Sequence, residues 1–417
     1  MSTTCHGDHV NISPKSVNPA ETLAQTAVTP TTSESTSAAT TQPARIIQPA
    51  EATVRAEMAR VRSNMPEILA KAKAEVNCGT FPLISWGIAR SRIGSVTSVE
   101  AEKTWFIIGD LHGDFVAWHH LFKRIQKEPD FRVLFLGDLV DRGPFSLECV
   151  AALFEAILRY PNQFLWIMGN HDEALSLDKA TRNFRTSVEP AEFLEELKRP
   201  TAWATQEQLD RWGKLFINVT QRLPRAVVFP DGLLATHGGI PLCDQWDRLK
   251  STEAFHTEQC LRDFTWTRAA NKPRSLFDLD RRRMGSSDFQ YGFKDMDDFC
   301  AKCGELFNVQ IKRVVRGHDH VEHGMDKPSG FVKTPLLTIN GFGFNYLTND
   351  PMNYRAKLAL GLYRNGESPA IEDIALEGAA YEFLSDTAVM TVTTAKEIKV
   401  EAVVINENES ISLKDID

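Results

Sequence analysis

Trp105-Phe-Ile-Ile-Gly-Asp-Leu-His-Gly113 and Val133-Leu-Phe-Leu-Gly-Asp-Leu-Val-Asp-Arg-Gly143 decide how this chain folds. Each sets an apolar run directly before a glycine turn that carries acidic or imidazole side chains. The arrangement recurs at Phe164-Leu-Trp-Ile-Met-Gly-Asn-His-Asp172, Gly232-Leu-Leu-Ala-Thr-His-Gly-Gly239 and Val314-Val-Arg-Gly-His-Asp-His320. Such short apolar runs read as strands buried on both faces. A motif just past the carboxyl end of each strand stands where open α/β sheets bind ligands. Asp, Asn and His gathered at glycine turns are the ligand mix of a two-metal hydrolytic site, because carboxylates and neutral imidazoles suit Mn, Fe and Zn. One Gly-Asp or His-Gly-Gly turn alone is an ordinary loop; five complementary ones, each after a strand, are a constellation.

Between the motifs the chain alternates. Strand 104–109 leads to a helix near 116–127, and strand 132–136 to a helix near 146–159. Strand 164–168 precedes a helical stretch, 190–217, and then strand 226–236. This is the rhythm of parallel strands covered by helices. After about Thr334, three further strands, at 336–339, 356–363 and 371–374, suit the second sheet of a sandwich. The expected fold is α/β, a two-sheet β-sandwich flanked by helices. Within it Cys300-Ala-Lys-Cys303 lies on a helical stripe with Met296, Phe299 and Phe307, so core packing is preferred to a zinc half-site.

The rest of the chain divides by composition. Residues 1–50 contain no aromatic residue and are dominated by Ser, Thr, Ala and Pro, the mark of a disordered leader. Cys5-His-Gly-Asp-His9 in that leader could chelate a metal only weakly. Residues 51–77 show steps of three and four at Val54, Met58, Val61, Ile68 and Leu69, with Ser63 as a cap and Pro66 in a following first turn. They read as accessory helices packed outside the sandwich. Residues 78–377 hold the motifs, and 378–417 form a tail with one strand candidate, Ile398–Val404.

With 47 basic and 55 acidic residues among 417, the net charge is −8, which argues against a general nucleic-acid footprint. No apolar stretch reaches the roughly 18 residues of a membrane span. Seven cysteines in a long chain make no disulfide framework, and the expected location is cytoplasmic.

The motifs resemble those of the phosphoprotein phosphatase family of calcineurin-like metallophosphoesterases: Gly-Asp-x-His-Gly, Gly-Asp-x-x-Asp-Arg-Gly and Gly-Asn-His-Glu. The spacings agree too, with 28 residues from Asp110 to Asp138 and 32 from Asp138 to Asn170. The likeness runs from about Cys78 to about Leu376. It implies two divalent metal ions (Mn, Fe or Zn). Asp110 and His112 would bind the first, Asp138 would bridge, and Asn170, His237 and His318 would bind the second. Water between the ions would then attack phosphorus, His171 would act as general acid with Asp141 as its orienting carboxylate, and Arg142 would grip phosphate oxygens. A further substrate arginine is expected between Trp266 and Tyr291-Gly292, and Arg283 is favoured over Arg281 and Arg282; a solvated basic turn is the competing reading.

Three departures bear on substrate. The third motif ends in Asp172 rather than Glu, as in diadenosine tetraphosphate hydrolases, although Asp141 is retained against that reading. The last motif also matches a wider Gly-His-x-His pattern, which makes His320 a seventh candidate ligand. The Asn-Tyr-Cys-Gly stretch of eukaryotic protein phosphatases has no recognisable counterpart, so regulatory subunits stay unspecified. The expected function is metal-dependent hydrolysis of phosphoserine and phosphothreonine in proteins. The alternatives are a nucleotide or diadenosine polyphosphate hydrolase on the same site, or an inactive scaffold that binds phosphoproteins.

Overall fold

The computed structural model describes residues 49–84, 93–95, 104–243, 245–279, 289–321, 324–343, 357–363, 370–375, 389–392 and 398–401. The expected leader before Pro49, with Cys5–His9, lies outside the described residues, as do Arg281, Arg282, Arg283 and most of the tail.

Eleven strands form two sheets. β1 is Ile93–Ser95, β2 Trp105–Ile108, β3 Arg132–Phe135, β4 Phe164–Trp166, β5 Ala226–Val228 and β6 Leu233–Thr236. Then follow β7 Arg313–Arg316, β8 Met325–Asp326, β9 Leu336–Ile339, β10 Lys357–Tyr363 and β11 Ala370–Ala375. The first sheet runs β11-β10-β2-β3-β4, the second β1-β5-β6-β7-β9-β8. β2, β3 and β4 are parallel, as are β6, β7 and β9.

Alternation along each strand builds three apolar layers. Trp105, Ile107, Leu134 and Leu165 meet Val227, Leu233, Ala235 and Val315 between the sheets. Phe106, Ile108, Val133, Phe135 and Trp166 face the opposite way, into a helix layer. Val228, Leu234, Val314 and Leu336 face the second helix layer. Burial on both faces is why these strands read as unbroken apolar runs.

The helices are α1 Pro49–Cys78, α2 Phe115–Ile125, α3 Ser146–Arg159, α4 Asn170–Ala174, α5 Glu192–Leu197, α6 Gln206–Thr220, α7 Glu258–Trp266 and α8 Phe293–Phe307. Their starts follow from local chemistry. The Asp114 side chain accepts from the Ala117 amide to cap α2, and Thr205 with Gln208 forms a capping box on α6. Cys300 and Cys303 lie buried on α8 beside Met296 and Phe299, as expected of core residues.

Four local expectations differ from the structure. The accessory pair over 51–77 is one helix running through Pro66. Its stripe of Val54, Met58, Val61, Met65, Ile68, Leu69, Ala72 and Val76 is continuous across the proline, and ion pairs from Arg60 to Glu155 and Arg62 to Glu148, each 2.6 Å, hold it to α3. Tertiary packing here overrides a local break signal. Strand 226–236 is two antiparallel strands, because Gly232 adopts φ 94° and turns the chain. The 190–217 stretch divides into α5 and α6, on either side of Pro200. Finally, β10 pairs antiparallel with β2 and β11 with β10, so these strands extend the first sheet and only β9 joins the second. In the tail, 398–401 pairs with 389–392 as a two-stranded ribbon.

A continuous α1 leaves the Arg62 carbonyl without its helical amide. Pro66→Ala should therefore raise stability by about 1–3 kcal/mol in a denaturant titration. A loss of stability would mean that the chain breaks there.

Candidate metal centre

The five motif loops meet at the carboxyl ends of β2, β3, β4, β6 and β7, across both sheets. Close backbone packing brings them together. A Cβ on Gly169 would come within 2.2 Å of the Asp138 amide nitrogen, and one on Gly317 within 2.1 Å of an Asp110 carboxylate oxygen. Only glycine permits either approach.

Five functional candidates stand in the left-handed region: His112 (φ 48°), Asp138 (φ 54°), Asp141 (φ 68°), Arg142 (φ 70°) and His318 (φ 67°). Each costs about 1–3 kcal/mol unless the surroundings hold it. The surroundings do. Asp172 accepts from the amides of Asp138 (2.9 Å), Leu139 (2.9 Å) and Gly169 (3.2 Å), locking the second motif to the third. The His318 amide donates to Asp110 at 3.0 Å, and the His171 amide to Asp138 at 2.8 Å.

The imidazole tautomers follow from these contacts. A carbonyl oxygen can only accept, so the ring nitrogen facing it carries the hydrogen. His237 Nδ1 faces the Leu136 carbonyl at 2.8 Å, so in the neutral ring that a cation requires the lone pair is on Nε2. His318 Nε2 faces the Trp266 carbonyl at 3.2 Å, leaving one on Nδ1. Both lone pairs point at the Asn170 amide oxygen, 3.0 and 2.8 Å away, and His237 Nε2 is 3.3 Å from Asp138. His112 Nδ1 faces the Val140 carbonyl at 3.0 Å, so its Nε2 lone pair turns towards Asp138 (3.6 Å) and Asp110 (3.8 Å). Acceptors aimed at acceptors in a buried space call for cations. The donor set suits one ion among Asp110, His112 and His320 and another among Asp138, His237 and His318, with Asn170 beside the second.

His320 is brought to the same place, its Nε2 3.0 Å from His112 Nε2 and 3.5 Å from Asp110. Its Nδ1 accepts from the Arg142 guanidinium at 3.1 Å. That bond puts the hydrogen on Nε2, so a cation at Nε2 requires Arg142 to let go of Nδ1.

A second cluster adjoins the first. His171 Nδ1 donates to Asp141 at 2.9 Å, and its Nε2 accepts from Arg142 at 3.1 Å. Of the expected site residues, then, Asp110, His112, Asp138, Asp141, Arg142, Asn170, His171, His237, His318 and His320 converge, whereas Arg283 lies outside the described residues.

Other residues contribute to which the motifs assign no role. Asp319 points away from the ligands and joins two buried arginines, Arg316 and, at 2.7 Å, Arg268. Those arginines donate to the carbonyls of Gly238 (2.7 Å) and His318 (3.2 Å), fixing the fourth and fifth loops. Glu192 accepts from the Arg142 amide at 2.6 Å. Glu196 accepts from the amides of Ser146 and Leu147, at 3.0 and 2.7 Å. The link between Arg268 and Asp319 spans 51 positions, and adjacency in sequence gives no hint of it.

Residues 105–322, just over half of the chain, match the family model described as calcineurin-like phosphoesterase. The chain belongs to that family. It is 27% identical over 285 residues to the serine/threonine-protein phosphatase C23G10.1 of Caenorhabditis elegans, covering 67% of this chain and 56% of the relative. It is 28% identical over 222 residues to the serine/threonine-protein phosphatase 6 catalytic subunit of the same organism, covering 52% and 59%. The chain thus spans under two thirds of the length of these curated relatives. A solved serine/threonine phosphatase from Saccharomyces cerevisiae, similar to human phosphatase PP5, shares the fold. It superposes with a TM-score of 0.51 at 17% identity over 76% of this chain and 90% of its own. The resemblance drawn from the motifs to phosphoprotein phosphatases agrees with these relatives.

The electrostatics of the metal-free centre carry a pH signature. Burial pushes Asp110 up to about 7, with Asp138 adding to the shift, and burial likewise pushes Asp172 up to about 7. His237 is opposed by burial, but the Asp138 carboxylate overrides it and raises the imidazole to about 9. Each of these groups holds its proton more tightly folded than unfolded. Their stabilisation is complete at low pH and is lost as pH rises through about 7 and then about 9. The thermal midpoint of metal-free protein should therefore fall between about pH 6 and 9, while the gain from added Mn²⁺ grows as protons compete less. A metal-free midpoint that rises across this window would contradict the assignment.

Proposed function

We propose that this phosphoesterase hydrolyses phosphate monoesters on serine and threonine side chains of proteins, with two divalent metal ions as cofactors. The observation that carries the reading is the pairing of a cation-fitted acceptor cage with the Asp141-His171-Arg142 cluster beside it. Bound cations supply an activated water and neutralise charge on the phosphate.

The protein's own residues do the rest. Arg142 presents a guanidinium fork suited to phosphate oxygens. With no substrate it is held by His171 Nε2 and His320 Nδ1. A phosphate outcompetes these neutral acceptors, so substrate draws Arg142 away and frees Nε2 of His171. Asp141 orients that ring through Nδ1, and the freed Nε2 takes up a proton from solvent and delivers it to the leaving alkoxide. A serine or threonine alkoxide is a poor leaving group, so this proton matters most for such substrates.

The alternative reading on Asp172 is not favoured. Its carboxylate is fully buried and committed to three backbone amides, those of Asp138, Leu139 and Gly169. It shapes the metal loops and has no free edge with which to select a dinucleotide. An inactive scaffold is opposed by the convergence of every ligand candidate. The expected cytoplasmic location remains part of the proposal.

Purified protein with Mn²⁺ should turn over a phosphothreonine peptide faster than diadenosine tetraphosphate, and Asp138→Asn should lose about 100-fold or more. His171→Asn should lose about 10²–10⁴-fold on the peptide and much less on an activated aryl phosphate. Preference for the dinucleotide, or peptide turnover indifferent to His171→Asn, would sink the respective claims.

A further inference from the structure

Residues 141–147 carry Asp141, Arg142 and the start of α3, and the stretch holds itself by few bonds of its own, from the Asp141 amide to the Ser146 hydroxyl at 3.2 Å and from the Gly143 amide to the Asp141 carbonyl at 2.9 Å. Asp141 and Arg142 are consecutive non-glycine residues in the left-handed region. Phe145, at the amino end of α3, offers no side-chain cap. The rest of the restraint must come from outside the stretch.

Helix α5 is what imposes it. The Phe193 amide donates to Asp141 Oδ1 at 3.0 Å, leaving Oδ2 for His171. The two Glu196 oxygens take the Ser146 and Leu147 amides, replacing the missing cap on α3. The Glu192 Oε2 accepts the Arg142 amide at 2.6 Å, directly at the strained residue. Phe193 and Leu197 anchor the helix by burial in the apolar layer over the first sheet. Glu192 has an awkward setting of its own. Burial pushes its carboxyl up to about 7, and its Oε1 is buried without a hydrogen bond to another described residue. A carboxylate at such a place is retained at a cost in stability, which directs attention to what it holds.

We propose that Glu192 is a positioning residue for the dephosphorylation step. It pins the Arg142 backbone so that only the guanidinium pivots, from His171 and His320 to the phosphate. Together with the Phe193 amide it sets the Asp141-His171 pair at the distance needed to protonate the leaving oxygen. This inference rests on the phosphatase reading above, and it gives helix α5 a role in the chemistry.

The test compares Mn²⁺-loaded wild type, Glu192→Ala and Glu192→Gln on a phosphothreonine peptide and on p-nitrophenyl phosphate. The glutamine keeps an acceptor oxygen; the alanine does not. We expect Glu192→Ala to lose about 10- to 100-fold in kcat on the peptide, as small misplacements near reacting groups do. The loss on the aryl phosphate should be several-fold smaller, and Glu192→Gln should recover most of it. Wild-type kcat in the alanine variant, or equal losses on both substrates, would overturn the proposal, since a merely structural role is blind to the leaving group. Hydrogen–deuterium exchange of the 141–147 amides reads the contact itself. Protection should fall in Glu192→Ala and persist in Glu192→Gln, and unchanged protection overturns the proposal whether or not any substrate is turned over. Inactive wild type would instead count against the phosphatase reading, with the exchange measurement still deciding the role of Glu192. If Glu192→Ala does not fold, Glu192→Asp withdraws the oxygen by one methylene and serves for both measurements.

Discussion

Carboxylate oxygens, an amide oxygen and imidazole lone pairs converge among buried side chains, and like ends of dipoles do not pack without something positive among them. Much of the structure around the site serves to hold that unfavourable convergence in place. Backbone carbonyls of Leu136, Val140 and Trp266 fix the tautomers of His237, His112 and His318 so that the lone pairs point inward. Asp172 and Asp319 take no part in the cage, yet each ties two motif loops together. Left-handed backbone at five of the site residues is the strain such an arrangement stores.

The two-sheet architecture follows from the same requirement. Asp110, Asp138 and Asn170 come from the first sheet, and His237 and His318 from the second. No single sheet edge could surround two ions. The sandwich brings both sets of strand ends to one rim, and the apolar layer between Trp105, Ile107, Leu165 and Val227, Leu233, Val315 fixes their separation. Stability and function therefore meet in the inter-sheet core: a change that shifts one sheet against the other also changes the spacing of the ligands.

What could be read from sequence was whatever is written locally. Apolar runs ending in Gly-Asp, Gly-Asn, His-Gly-Gly or Gly-His place ligands at strand ends, and five such runs gave the fold class and every member of the convergent set. Contacts made across the fold were not legible. Pro66 reads as a break, and only the unbroken burial of Val61, Met65 and Leu69 against α3 makes α1 one helix. The strands β10 and β11 read as second-sheet strands because sequence order places them after β9; pairing with β2 returns them to the first sheet. Asp172 reads as a substrate signal, whereas its three amide contacts make it a brace. Glu192 and Glu196 belong to no motif, and their partners lie about fifty positions away.

The account stands on two cations held between the sheets. A crystal structure of Mn²⁺-loaded protein, with anomalous scattering recorded at the manganese edge, addresses that claim directly. It should show two peaks about 3.5–4 Å apart, one within bonding reach of Asp110 and His112, the other of Asn170, His237 and His318, with Asp138 between them. A single peak, or none with the cage side chains still converged, would contradict the account.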